Sequence, residues 1–204
     1  MSVREELAAA LRTFGRLGYE FGFNGHVSAR AGEGRYWVNP FGVSISAVSA
    51  EDIVLVDSGG EVVEGRHPIN GFAGNRALHQ AVPEAFAITH LHTPRGFIWS
   101  SLNRPLEPVN TDSALVVGLQ GLGGTTVELA RQGARVIQQP GHGFVTWGES
   151  VGEAAFYLQA AERAADANLA LLGVSGVQPV PPDKVAKWTL TPELARTHFA
   201  AQVA

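Results

Sequence analysis

Within this 204-residue chain, the stretch Thr89-His-Leu-His-Thr93 carries residue types that do chemistry. In a β-strand alternate residues face the same side, so His90 and His92 project together while Leu91 packs the other way. Two imidazoles on one strand face, at the end of an apolar run, make half of a metal site. The same pair also reads as two polar residues at a strand end, held by ordinary hydrogen bonds. His142 lies in Pro140-Gly-His-Gly143, a turn between two strand-like segments where glycine permits close backbone approach. A third histidine returned by sheet pairing would complete a three-histidine site with an open position, as catalytic zinc requires. The competing reading is a surface loop histidine. Composition narrows the chemistry further. Cysteine is absent, which excludes disulfides, thiolate ligands, iron–sulfur clusters and thiol nucleophiles. The only lysines, Lys184 and Lys187, sit near the C-terminus, so Schiff-base chemistry is disfavoured. Any metal must be held by histidine and oxygen ligands.

The elements that would position these residues follow from periodicity and punctuation. Ser2, with Glu5 three residues on, reads as a capping box, and Leu7, Ala10, Leu11 and Phe14 predict an amphipathic helix over 2–18. A glycine-rich lead-in precedes a short strand at His26–Arg30. The turn Gly32–Gly34 joins it to an aromatic strand at Arg35–Asn39. A one-turn helix starting at Ser49 and the strand Ile53–Asp57 follow, then a hairpin turn into Glu61–Glu64. Phe72–Val82 reads as helix, Ala85–His92 as an apolar strand, and Pro94 opens a helix through Leu102. Leu106–Val109 and Ala114–Val117 read as short extended pieces and Thr125–Gln132 as helix. Arg135–Gln139 and Gly143–Trp147 read as strands. A long helix, capped by Ser150 with Glu153 behind it, runs to Leu172, and a last helix lies near Pro192–Val203. Strands cluster early and alternate with helices later, so the expectation is one mixed sheet covered by helices, an α/β or α+β layered domain.

Apolar residues make up 45% of the chain and charged residues 17%, the balance of a globular protein. The length suits a single domain over 1–204 with a full core. A net charge of −4 argues against a nucleic-acid partner, which calls for a basic stripe. The N-terminal segment has acidic residues in its first turns and lacks a signal peptide's apolar core. No stretch approaches the ~20 apolar residues of a membrane span. The expectation is a soluble, cytoplasmic protein with a small-molecule partner.

Several segments, in order over roughly residues 4–172, resemble the class II aldolase/adducin family. They are His-x-His-Thr-Pro at 90–94, the distal Gly141-His-Gly before a long Ala-rich helix, Asn24-Gly-His-Val-Ser-x-Arg30, Asn39-Pro-Phe-Gly-Val43 and Glu51-Asp-Ile-Val-Leu-Val-Asp57. The resemblance implies an α/β fold, a three-layer α/β/α sandwich around a central mixed, largely antiparallel sheet. It also implies a homotetramer with the active site at a subunit interface, and a divalent metal on His90, His92 and His142. Zn²⁺ is the first expectation for that metal, with Mn²⁺ or Fe²⁺ as alternatives.

One segment departs from the family pattern. Sugar-phosphate aldolases of the family carry Ser-Ser-Glu before the helix that precedes the His-x-His strand. This chain has Pro68-Ile-Asn-Gly-Phe-Ala-Gly-Asn-Arg-Ala-Leu-His79 there, with Gly71 or a close neighbour where the glutamate belongs. No acid lies between Gly65 and Val82. A general base cannot become glycine without a change of mechanism. Asn24, Gly25, Asn39, Gly42, Asn70 and Gly71 are the expected substrate-binding positions, and they supply few of the cations that phosphate prefers. The resemblance thus points to a metal-dependent lyase acting on a C–C bond. The reaction is decarboxylation or aldol/retro-aldol cleavage of a small hydroxy, oxo or aromatic acid, through an enolate-type intermediate stabilised by the metal. His79 and His26 are the candidate proton donors, each with a purely structural reading beside it. Asp112 could lie near the site, although an Asx turn suits it better. Arg30 and Arg95 could hold a carboxylate or form surface ion pairs. Two other readings stand beside the lyase: a non-catalytic adducin-like assembly module, and an iron-dependent oxygenase on the same scaffold.

Overall fold

The computed structural model describes residues 1–204. Its strands are β1 (His26–Gly32), β2 (Arg35–Val38), β3 (Val54–Val56), β4 (Val62–Glu64), β5 (Ala87–Leu91), β6 (Gln120–Gly121), β7 (Val136–Gln139) and β8 (Gly143–Gly148). Its helices are α1 (Val3–Arg16), α2 (Ala73–Ala81), α3 (Pro94–Ser100), α4 (Thr111–Val117), α5 (Thr126–Arg131), α6 (Val151–Ala170), α7 (Pro182–Trp188) and α8 (Pro192–Val203). The strands form one eight-stranded sheet in the order β4-β3-β2-β1-β5-β8-β7-β6. Every pairing is antiparallel except β6 with β7.

The two-residue period of the strands sorts their side chains into two apolar layers. Val27, Ala29, Ala87, Leu91, Val136 and Phe144 face one side, where they join Leu7, Leu11, Phe14, Trp99 and the small residues of α6 in one buried cluster. Ile88, Ile137, Val145 and Trp147 face the other side, against Leu78 of α2 and Leu129 of α5. Helices therefore cover both faces of a mixed, mainly antiparallel sheet, as the resemblance implies.

Helix ends obey the local signals. Ser2 Oγ accepts from Glu5 N, and Glu5 Oε2 accepts from Ser2 N at 2.6 Å. Ser150 Oγ accepts from Glu153 N at 3.1 Å and starts α6, which is alanine-rich and therefore packs close to the sheet. A carboxylate on α6 sets the start of α3: Glu162, buried, accepts from Arg95 N at 2.8 Å and Gly96 N at 2.6 Å. Negative charge at a helix N-terminus is favourable, and here it anchors the segment directly after His92.

The fold differs from the local reading in four places, one of them the unexpected short strand β6 beside β7. Ala114–Val117, expected to be extended, lies in helix α4. Asn110 and Ser113 cap that helix reciprocally, with Ser113 N donating to Asn110 Oδ1 at 2.9 Å, and this stabilises a helix that β-branched residues alone disfavour. Leu106–Val109 joins no strand, because the Gln120 side chain meets Leu106 N at 2.8 Å and Leu106 O at 3.0 Å in place of a neighbouring strand. Helix α7 was not expected; its start is set by Pro181 and Pro182, whose fixed φ suits a first helical turn. No helix is long and apolar enough to cross a membrane.

Candidate metal centre

His90 ends the apolar run of β5, on the α2/α5 face of the sheet. It is 4% exposed and pairs in register with Val145 of β8 and His26 of β1. Its Nδ1 lies 2.9 Å from the Phe144 carbonyl. A carbonyl only accepts, so Nδ1 carries the proton and Nε2 is the lone-pair nitrogen. Nε2 is buried and has no hydrogen-bond partner. Burial, ahead of every other influence, pushes the His90 pKa down to about 4, which keeps the ring neutral as a metal ligand must be.

His92 follows just past the strand and is half-buried, and His142 stands exposed on the turn between β7 and β8. The turn is held from below by α3: Ser100 O accepts from Gly141 N at 3.1 Å, and Ser100 Oγ accepts from Gly143 N at 2.8 Å. Gly143 has φ +97°, and a Cβ there would sit 3.3 Å from Leu91 O, so only glycine lets the turn close against β5. The result brings one nitrogen from each of His90, His92 and His142 within 4.8 Å of one another. Converging imidazoles, one with an orphaned buried nitrogen, fit a divalent transition metal.

His26 faces the same group from β1. Its ring stacks towards His90 with centroids 6.1 Å apart, outside the three-nitrogen cluster. Burial and the nearby His142 and His92 lower its pKa. Gly71, in the left-handed region at φ +66°, places its Cα side against this ring; a Cβ would lie 3.3 Å from His26 Cε1. The residue at the expected glutamate position thus leaves room beside His26.

A cavity of about 510 Å³ opens over these residues, on the α2/α5 face. His26, His90, His142 and Gly71 line it, with Phe72 to Asn75 and Ala77 of α2, Thr125 to Val127 of α5, Gln139 and Val145. None of the lining side chains is Asp, Glu, Lys or Arg. The first turn of α2 borders the cavity, and its N-cap, Phe72, supplies no side-chain acceptor to the N–H groups of that turn.

Other expected site residues lie elsewhere. His79 is fully buried and does not reach the cavity. Its Nδ1 meets Ala85 O at 2.7 Å, its Nε2 meets Ser28 Oγ at 3.0 Å, and Tyr36 stacks on it at 4.8 Å. As a candidate proton donor it is corrected to a packing residue, because it lies one turn further along α2 than Asn75, closed in by Ala85, Ser28 and Tyr36 and away from the cavity. Asn39 spends its side chain inside the protein, with Oδ1 accepting from Val27 N at 2.7 Å and Nδ2 donating to Gly25 O at 3.4 Å. Asn70 Nδ2 donates to Phe23 O at 3.2 Å, and Phe41 N donates to Pro68 O at 2.7 Å. Asn24, Gly25, Asn39, Gly42 and Asn70 therefore belong to three loops tied to one another, not to the cavity lining. Arg30 donates to backbone carbonyls at Ala85 and Val82. Arg95 pairs with Asp166 and Asp112 with Arg163, around a separate cavity over α6. The lining residues Asn75, Thr125, Thr126 and Gln139 were missed, since no local motif marks a residue whose role comes from a neighbouring helix.

The buried His79 has a measurable consequence. Burial pushes its pKa down to about 4, against an ordinary value near 6.5. The unfolded chain then binds a proton that the folded one refuses between those values. This contribution is intact above about pH 6.5 and lost as pH falls through about 4, amounting to about 3 kcal/mol. Urea unfolding of the metal-free protein at about pH 7 and about pH 4.5 should show it, and His79→Leu should flatten the slope. An unchanged slope would mean that His79 is protonated in the fold.

The sequence model of the class II aldolase and adducin N-terminal domain matches residues 5–169. The 4-hydroxy-3-prenylphenylpyruvate oxygenase/4-hydroxy-3-prenylbenzoate synthase of Streptomyces roseochromogenus subsp. oscitans is 30% identical over 202 residues, covering 89% of this chain and 72% of that protein. Decarboxylase NovR of Streptomyces niveus is 30% identical over 200 residues, 89% of this chain and 74% of that protein. The solved L-fuculose 1-phosphate aldolase from Glaciozyma antarctica PI12 superposes with a TM-score of 0.90 at 26% identity, over 98% of this chain and 86% of that one.

Proposed function

This chain belongs to the class II aldolase and adducin N-terminal domain family, and from that premise we propose that it is a metal-dependent lyase of the cytoplasm that breaks a C–C bond. Decarboxylation of a small hydroxy, oxo or aromatic acid is the reading that the cavity supports best, ahead of aldol or retro-aldol cleavage. The observation that carries it is a cavity lined by His26 and by His90 and His142 of the three-histidine cluster, with no carboxylate and no cationic side chain. Retro-aldol cleavage needs a base for the substrate hydroxyl, and Gly71 or a close neighbour stands where the resemblance places the family glutamate. Loss of CO₂ needs no base; it needs a proton for the carbon that the CO₂ leaves. A relative 30% identical is named a decarboxylase, in keeping with this reading.

His90, His92 and His142 would hold the ion, Zn²⁺ first, with Mn²⁺ or Fe²⁺ as alternatives. A divalent metal supplies Lewis-acid polarisation of a carbonyl or hydroxyl oxygen. His90 is kept in the ligating tautomer by the Phe144 carbonyl. The first turn of α2 offers N–H groups to an anionic group of the substrate. His26, whose pKa is lowered, would relay the proton, taking one from water at the cavity mouth on one ring nitrogen as it delivers one to the carbon from the other. Val145, Phe72 and Ala77 exclude water from the apolar part of the substrate.

The test is metal analysis of protein purified without chelator, followed by a panel of hydroxy, oxo and aromatic acids assayed for CO₂ release. The expected result is one equivalent of metal per chain, with activity lost on chelation and restored by the ion. Failure to bind added Zn²⁺, Mn²⁺ or Fe²⁺ would sink the proposal, and a phosphorylated molecule retained in the cavity would count against the substrate class. A second reading, an iron-dependent oxygenase, is favoured by the relative named as an oxygenase; O₂ uptake with Fe²⁺ distinguishes it. A homotetramer with the cavity at a subunit interface is also proposed. Phe21, Phe23 and Phe41, on loops beside the cavity, are 73%, 47% and 39% exposed, as a subunit contact would require. Light scattering should then return four times the 21.6 kDa chain mass.

A further inference from the structure

The hydrogen bonds behind the α2 wall of the cavity run in one direction. The Ala85 carbonyl can only accept, so His79 Nδ1, 2.7 Å away, carries the ring proton. His79 Nε2 is then a lone pair, and Ser28 Oγ, 3.0 Å away, donates to it. With its hydrogen committed, Ser28 Oγ accepts from Asn75 Nδ2 at 2.9 Å. The other Nδ2 hydrogen of Asn75 is directed to the His26 carbonyl at 3.4 Å. Turning the amide over would set Oδ1 against that carbonyl, acceptor to acceptor, and against a hydroxyl whose hydrogen is already used. Asn75 is therefore held with both donors inward. It is 6% exposed and lines the cavity, and no protein group bonds its Oδ1.

Gln139 makes the contrast. Its Nε2 donates to Thr126 Oγ1 at 2.9 Å, and a hydroxyl can donate or accept, so that amide can face the cavity either way round. Thr125 is occupied by its capping box with Glu128. Among the amides of the lining, only Asn75 has its polarity set by a backbone carbonyl at each of two points, His26 and, through the relay, Ala85.

We propose that Asn75 Oδ1 is a fixed acceptor that selects substrates carrying a hydroxyl donor, namely hydroxy acids or phenolic acids, over their ethers and unsubstituted counterparts. The inference rests on the metal-centred lyase reading and names the substrate class within it. A fixed acceptor discriminates more sharply than an adaptable one, because an ether both lacks the bond and leaves Oδ1 desolvated and unpaired.

The test uses the intact chain loaded with Co²⁺, whose visible spectrum reports an acid bound at the metal. The probes are glycolate, 3-hydroxypropionate, salicylate, 3-hydroxybenzoate and 4-hydroxybenzoate, each titrated beside its O-methyl ether and its unsubstituted acid. These place the hydroxyl at different distances from the carboxylate. The expected result is that at least one hydroxy acid binds roughly tenfold more tightly than its ether to the wild type, and within about twofold of it to Asn75→Leu. If Asn75→Leu fails to fold by circular dichroism, Asn75→Ser takes its place with the same expectation. Acids that bind the Co²⁺ protein without any such preference, or with one that survives the substitution, would overturn the inference and leave the lyase reading standing. Absence of Co²⁺ binding, or of any spectral response to the acids, would overturn both.

Discussion

Replacing His92 by alanine abolishes metal binding and activity while the protein still folds. His92 is the ligand whose removal best separates the two properties. It lies beyond the last residue of β5, is half-buried, and its ring makes no hydrogen bond to a protein group, whereas His90 is buried and bonded to the Phe144 carbonyl. Loss of one ligand of three should weaken Zn²⁺ by more than the about 10–100-fold that an outer-shell partner costs. Thermal unfolding of the apo forms should differ little between His92→Ala and the wild type, because the substitution opens no core cavity. Equilibrium dialysis and circular dichroism check the two halves. Unfolding of the variant would show the metal to be structural, and an unchanged affinity would remove His92 from the ligand set.

Replacing His26 by glutamine lowers CO₂ release by about 10²–10⁴-fold, the range that a positioned acid–base group contributes. The metal stays bound. His26 stands opposite His90 in the β1–β5 register with ring centroids 6.1 Å apart, yet its nitrogens fall outside the cluster formed by the other three. That geometry suits the proposed proton relay beside the metal better than a fourth ligand. Measuring metal stoichiometry and turnover on one preparation separates the roles. Parallel loss of both would make His26 a ligand, and unchanged turnover would leave it without a role in the reaction.

Part of this site was legible before any tertiary contact was known. The pairing of His90 with His92 follows from the period of a strand, and the turn carrying His142 from Pro140 and the flanking glycines. Ser2, Ser49, Ser150 and their acidic partners mark helix starts where the fold has them. The cavity walls were not legible. Asn75 and His79 sit four residues apart on one helix, neighbours on a face that both turn to Ser28; only the one in the first turn of α2 also borders the cavity, and the packing of the next turn under Tyr36 closes off the other. Ala114–Val117 failed as a strand because the Asn110–Ser113 cap outweighed β propensity, and caps of this kind depend on backbone geometry as much as on residue type.

By itself, the sequence determined the chemical repertoire. Without cysteine, and with lysine only near the C-terminus, thiol and iron–sulfur chemistry are excluded and Schiff-base chemistry is disfavoured, and no acid lies between Gly65 and Val82, where the resemblance places the family's glutamate. Those are statements of residue type and local spacing, which covalent order sets directly. Only the tertiary structure decided which histidine faces the three, which amide is locked by His26 and Ala85, and that no charged side chain lines the space around them. Strand register and helix roll are set by packing between segments distant in sequence, and no local period records them.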